Sequence, residues 1–284
     1  MDATNTLVKK RRGRTPGASA EAGGGQSQSL SRGLSLLDRL AEAGGGVALT
    51  DLAQRVGLSP STTHRLLNTL EKAGFVYQSG PLGLWQVGLK AFVIGSAFLE
   101  SRDLLPQSHP YLRQLMEQSG ESANLAVLDE YEAVFVDQVQ CHEMMRMLVK
   151  LGSRVPLHAS GVGKALLAAK NNETVKTVLH KRGLPRITAN TIDTPDRLWT
   201  ALAEIRRHGY AYDDEEHALG LRCLAAPIYD EHGEPLAAIS IAGPKSRIHD
   251  DRVVGLGLLV AGTAKEITKA MGGRLPDWSE KQAA

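Results

Sequence analysis

LTDLAQRVGLSPSTTHRLLNTLEKAGFV, residues Leu49 to Val76, decides the architecture of the front of this chain. Leu52, Ala53 and Val56 predict a short helix that opens at Thr50, a good N-cap, and stops at Gly57. Ser59-Pro60 then supplies an N-cap followed by proline at the first helical position, so a further helix runs from Pro60 to about Ala73. At 100° per residue, Thr63, Leu66, Leu67, Leu70 and Ala73 fall on one half of that helix. Ser61, Thr62, Arg65, Asn68, Thr69 and Lys72 fall on the other, with His64 at the border. The outer half carries only hydrogen-bonding groups and cations. A major groove asks for these: Arg forks onto guanine, Asn onto adenine, and Ser or Thr reaches bases or phosphates. A polar outer face is equally the default of any surface helix, so this pattern alone leaves both readings open.

The flanks narrow the choice. Upstream, Leu30, Leu34, Leu37, Leu40 and Ala41 form a helical stripe from Ser29 that ends at Gly44-Gly45-Gly46. Downstream, FVYQ (Phe75 to Gln78), a turn at Ser79-Gly80-Pro81 and LWQV (Leu84 to Val87) read as a hairpin. Three helices followed by a hairpin make a winged helix-turn-helix over residues 29–88. Charge agrees: residues 1–90 hold 11 Lys/Arg against 6 Asp/Glu, and residues 91–284 hold 22 against 25. A basic front and a slightly acidic back suggest a polyanionic partner for the front only, and duplex DNA is the expected one. Residues 1–28 lack any hydrophobic period and read as a disordered basic arm. Within it Arg11, Arg12 and Arg14 of KKRRGRTPG suit phosphates or a narrow minor groove, or serve only as a solubilising tail.

With 284 residues the chain has room for two domains. No apolar run approaches the roughly 20 residues that span a bilayer, and no apolar stretch follows the N-terminal charges as in a secretory signal. No membrane partner and a cytoplasmic location are expected. The two cysteines, Cys141 and Cys223, are far apart without metal-type spacing and read as reduced thiols.

Beyond AFVIGSAFL (Ala91 to Leu99), which is apolar on more than one side and should pack on a partner, the pattern turns mixed. Helices are expected at about 104–118, 160–170, 173–181, 195–208 and 250–271. Strands are expected at 122–129, 132–140, 144–150, 210–216, 222–229 and 236–242, with EHGE (Glu231 to Glu234) a turn. This is an α+β domain around one antiparallel sheet. Ser160-Gly161-Val162-Gly163 opens a helix whose free N–H groups and dipole favour an anion such as a carboxylate. Asp213 and Cys223 flank the loop DEEHALGLR, and Ser240 interrupts an apolar strand. Plainer readings stand beside these: the glycines serve packing, Cys223 is a core residue, and DDEEH is a solvated acidic loop. A nucleophile set can be assembled from Cys223, His217 and Asp213, and a metal set from His217, Asp213, Glu216 and Cys223 or His158. Neither has a motif of recognised spacing, so no enzyme, catalytic residue, metal or cofactor is expected.

SLSRGLSLLDRL (Ser29 to Leu40), the Leu49–Val76 stretch, PLHASGVGKALLA (Pro156 to Ala168), DDEEHALGLRCLAAPIYD (Asp213 to Asp230) and AAISIAGPKSRIHDDRV (Ala237 to Val253) together resemble the IclR family of bacterial regulators. The resemblance covers nearly the whole chain. It implies a linker helix at 89–102, a GAF-like α/β effector-binding domain at 103–273, a tail at 274–284, and homodimers that pair into tetramers. It implies a regulator, repressor or activator, of a carbon-catabolic operon of the glyoxylate-bypass type. Its effector would be a small carboxylate such as glyoxylate or pyruvate, held by Gly161, Val162, Asp213, Cys223 and Ser240 beside an apolar wall of Met147, Val155 and Leu221. Val162 and Ala242 stand where the family pattern carries alanine and a second serine, which leaves the effector open. Another small acid and another catabolic pathway are the alternative.

Overall fold

The computed structural model describes residues 27–100 and 104–276. Two compact units divide after Ser96.

In the first unit α1 (Gln28–Ala43), α2 (Leu49–Val56) and α3 (Pro60–Lys72) precede a hairpin of β1 (Val76–Ser79) and β2 (Leu84–Val87). Leu36, Leu40, Leu52, Leu67 and Val76 close around Trp85, which is 1% exposed. The backbones of Val47 and Trp85 exchange both hydrogen bonds, at 3.0 and 2.9 Å, tying the segment after α1 to the wing. Two expectations shift. The buried stripe of α1 is Gly33, Leu36 and Leu40, while Leu30 is 62% exposed and Leu34 also faces out. The core is met one helical step round from the leucine-rich line. Thr50 does not cap α2: the helix starts at Leu49 with Ala48 before it and no side-chain cap, because Leu49 is drawn in beside the core. After the wing, α4 (Leu89–Glu100) exposes Leu89, Phe92, Val93 and Ile94.

In the second unit α5 (Leu104–Ser119) leads into β3 (Ser122–Asp129), β4 (Glu132–Val139) and β5 (Arg154–Pro156). Then come α6 (Gly161–Ala168), α7 (Asn172–Arg182), α8 (Pro195–His208), β6 (Ala211–Asp214), β7 (Leu221–Tyr229), β8 (Pro235–Pro244) and α9 (Asp250–Ala270). Among the described residues, the strands form one antiparallel sheet in the order β5-β4-β3-β8-β7-β6. Period-2 alternation sends Leu125, Leu224 and Ile239 to the face covered by α5 and α9, and Ala126, Ala225 and Ala238 to the face covered by α6, α7 and α8. Small residues on the second face let α6 lie close to the sheet.

The strand expected at 144–150 is absent, and residues 154–156 pair with β4 in its place. The Gln138 side chain supplies what a neighbouring strand would: its Nε2 donates to Met147 O at 3.3 Å and its Oε1 accepts from Val149 N at 3.3 Å. The apolar side chains of that run, Met144, Met145 and Leu148, stay exposed. No helix among the described residues is long and apolar enough to cross a membrane.

Trp85→Ala is expected to destabilise the first unit by about 3–5 kcal/mol, the usual loss for a buried aromatic. The check is the urea midpoint of that unit by circular dichroism, and an unchanged midpoint contradicts the role given to this ring.

Candidate DNA-contact helix and effector site

Ser59 caps α3, its Oγ accepting from Thr62 N at 3.3 Å, and Pro60 takes the first turn where its missing N–H costs nothing. Thr63 and Leu67 are buried, whereas Ser61, His64, Arg65, Thr69 and Lys72 are exposed and Thr62 and Asn68 half-buried. The hydroxyls of Ser61 and Thr62 lie 3.1 and 2.9 Å from Ser59 Oγ, and Thr69 Oγ1 donates to Arg65 O at 3.0 Å. The guanidinium of Arg65 is left pointing outward among small polar groups. Tyr77, Gln86 and Ser79 brace the wing through bonds of 2.7 Å. Arg11, Arg12 and Arg14 lie outside the described residues.

In the second unit α6 opens against β7. Ser160 caps it, accepting from Gly163 N at 3.1 Å while donating to Pro156 O at 2.7 Å. Gly161 sits so close to Cys223 that a Cβ there would lie 2.6 Å from Sγ. A Cβ on Gly163 would lie 2.5 Å from Leu157 Cα. Val162 gives its side chain to the core and its N–H to the Cys223 sulfur. Below this turn the sheet presents two rows. Asp213, Cys223, Ala242 and Ser122 follow one another across β6, β7, β8 and β3. Ala225, Ser240, Asn124 and Gln138 form the next row across β7, β8, β3 and β4.

Electrostatics follow from burial. Asp213 is 2% exposed, and desolvation pushes its carboxyl up to about 7 against the pull of Lys164. Its Oδ1 accepts from Glu216 N at 2.8 Å. Lys164, itself buried, pairs with Glu216 and donates to Tyr212 O, so two carboxyls share one cation. Burial also raises the Glu216 carboxyl and lowers the His217 imidazole. Glu215, between Asp213 and Glu216 in sequence, has φ 61°, a left-handed conformation held by Gly220 N on its carboxylate and by the Lys245 ammonium. The acidic run is therefore an ordered loop pinned to α6 and not the solvated one a plain reading expects. Desolvation pushes the Cys223 thiol up to about 12, which favours the neutral thiol of a core cysteine.

Residues 29–80 match the IclR helix-turn-helix domain, and residues 96–269 match the family described as bacterial transcriptional regulator IclR C-terminal. The chain belongs to the IclR family. It is a transcriptional regulator with a helix-turn-helix DNA-binding domain and an effector-binding domain. The acetate operon repressor of Salmonella typhimurium is 55% identical over 268 residues, covering 94% of this chain and 98% of that one. Crystal structures of the Thermotoga maritima IclR (29% identity, TM-score 0.73, 87% of this chain and 100% of that one) and of an IclR homologue from Microbacterium hydrocarbonoxydans complexed with 4-hydroxybenzoate (26%, 0.74, 86% and 100%) share its fold.

In this IclR-family chain the fold brings Gly161, Val162, Asp213 and Cys223 together, with Ser240 in the adjoining row. It does not gather the expected wall in the same way: Val155 is in the core on edge strand β5, Met147 follows β4, and Leu221 opens β7 opposite Pro244. Sequence reasoning missed Asn124, Gln138 and Lys164. Asn124 and Lys164 each left a signal, a lone polar residue inside the otherwise apolar runs ANLAVL and GVGKALLA. Gln138 left none.

Gly161→Ala is expected to cost about 1–3 kcal/mol by overpacking, and adding Cys223→Ala should return much of it. A double-mutant cycle by thermal unfolding checks the coupling; strictly additive losses contradict the proposed contact.

Proposed function

We propose that this regulator represses a carbon-catabolic operon of the acetate and glyoxylate-bypass kind, and that a small carboxylate such as glyoxylate or pyruvate modulates its hold on DNA. The observation that carries the effector reading is the first turn of α6 laid on Cys223 beside the buried Asp213. The positive end of a helix dipole attracts a carboxylate, and an Asp protonated near neutrality does not repel one. The likeness to the acetate operon repressor supports the operon class, and the 4-hydroxybenzoate complex is that of an IclR homologue holding a carboxylate. Gly161, Val162, Asp213, Cys223 and Ser240 make the polar contacts in this reading, with Met147, Val155 and Leu221 as apolar wall. Ser61, Thr62, His64, Arg65, Asn68 and Thr69 meet the major groove, and Arg11, Arg12 and Arg14 the backbone or minor groove. The exposed Leu30, Leu34, Phe92 and Ile94 suit pairing with a second copy, so that two recognition helices reach successive major grooves. The protein acts in the cytoplasm as a homodimer or a dimer of dimers.

One observation favours a different small acid. Ala242, beside Cys223, offers no hydroxyl, which removes a donor worth on the order of 1 kcal/mol. A thermal-shift screen of short 2-oxo and 2-hydroxy acids, with gel shifts for each hit, decides between the two.

On an operator recovered by selection from random duplexes, Arg65→Ala should weaken binding by about 1–3 kcal/mol. Unchanged affinity contradicts base reading by Arg65. Protonated Asp213 is the form that accepts an anion, so carboxylate affinity should be flat below pH 7. It should fall by at most about tenfold per pH unit as the group ionises above about 7. Asp213→Asn should remove the fall, and calorimetry with pyruvate from pH 6 to 8.5 is the measurement.

A further inference from the structure

The polar row on the sheet floor has a direction, and one backbone group sets it. Val149 N can only donate, so the Gln138 oxygen that meets it at 3.3 Å must be Oε1. The other end of that amide is then Nε2, which donates to Met147 O and, at 2.8 Å, to Asn124 Oδ1. Asn124, fully buried, is thereby oriented too: its Nδ2 faces Ser240 Oγ at 3.3 Å and can only donate to it. Each amide is locked by the one before it. The Ser240 hydroxyl, 1% exposed, receives a hydrogen from Asn124 and must send its own elsewhere. The Cys223 sulfur, a weak acceptor, is the protein group in reach.

We propose that Asn124 and Gln138 are positioning residues that aim the Ser240 hydrogen at the effector, so that the site selects an acid with an acceptor oxygen on the carbon next to its carboxylate. The proposal rests on the effector reading above. In this reading the carboxylate meets the first turn of α6 and the carbon next to it turns towards Ser240, which lies one row on from Cys223. An oxygen there is a better acceptor than the sulfur and takes the hydrogen from it. Reversal of the row, as a Ser240 turned to donate to Asn124 would be, is barred by the Val149 N–H three groups away. The same row reaches Met147 and Val149, so a ligand that pulls on Ser240 also bears on the segment after β4.

The test is calorimetry on the full chain with pyruvate and propionate, which share a carboxylate and three carbons and differ in the 2-oxygen. The wild type should bind pyruvate about tenfold or more tightly than propionate, the value of one hydrogen bond in a dry site. Gln138→Met should bring the two within about threefold: losing the hold on residues 147–149 weakens both acids alike, whereas losing the aim of Ser240 weakens pyruvate further. Gln138→Glu, which accepts from Val149 N but cannot donate to Asn124, should lower the ratio likewise, and serves if the first variant does not fold. Ser240→Ala should match or exceed the loss for pyruvate. An unchanged pyruvate-to-propionate ratio in the Gln138 variants overturns the relay, while a Ser240→Ala loss upholds the effector site. A wild type that binds neither acid, or a Ser240→Ala that binds both as before, overturns the effector reading and the relay with it.

Discussion

A missing side chain at Gly161 governs the second domain. With hydrogen at that position, α6 settles onto β7 until its first turn touches the Cys223 sulfur. Any Cβ would have to displace that buried sulfur, and close-packed interiors resist such a shift. The alanines at 225, 238 and 242 continue the same logic across the sheet, since larger side chains would lift the helix off. The closeness has an electrical consequence. Helix N–H groups that water would otherwise satisfy end over a strip of buried polar residues.

Burying polar groups there is costly, and the structure meets the cost by pairing them. Lys164 holds Glu216, and Glu216 N holds Asp213, so the loop after β6 is fastened to α6 by charge and hydrogen bond together. Such a pair adds little net stability over a greasy replacement, but removing one partner strands the other, typically at about 3–5 kcal/mol. Specific placement is the gain: Asp213 is kept at the helix end with a proton affinity close to neutral pH. Asn124 and Gln138 do for the neighbouring row what Lys164 does for this one.

The first domain obeys a simpler constraint. Trp85 on the wing fills the space among α1, α2 and α3, which turns the polar side of α3 outward and leaves Arg65 exposed. The leucines of α1 and the apolar residues of α4 that this core does not take in stay exposed.

How much of this was legible in the residues differs by element. The sequence by itself determined most of the secondary structure, the strand expected at 144–150 excepted, because helix and strand periods, Ser-Pro starts and glycine stops are local signals. It also pointed to the polar half of α3, since that face is read from spacing within one helix, and to Gly161, Asp213 and Cys223 through resemblance. Only the tertiary structure decided which line of α1 is buried, because that depends on where α2 and the wing arrive. It alone showed Gln138 replacing a strand at 147–149, and Asp213 drawn out of an acidic loop into the interior. Asn124, Gln138 and Ser240 are more than a hundred residues apart from end to end, and register across three strands makes them neighbours. Local pattern carries the elements; a proton's direction along a row of side chains exists only once the sheet is assembled.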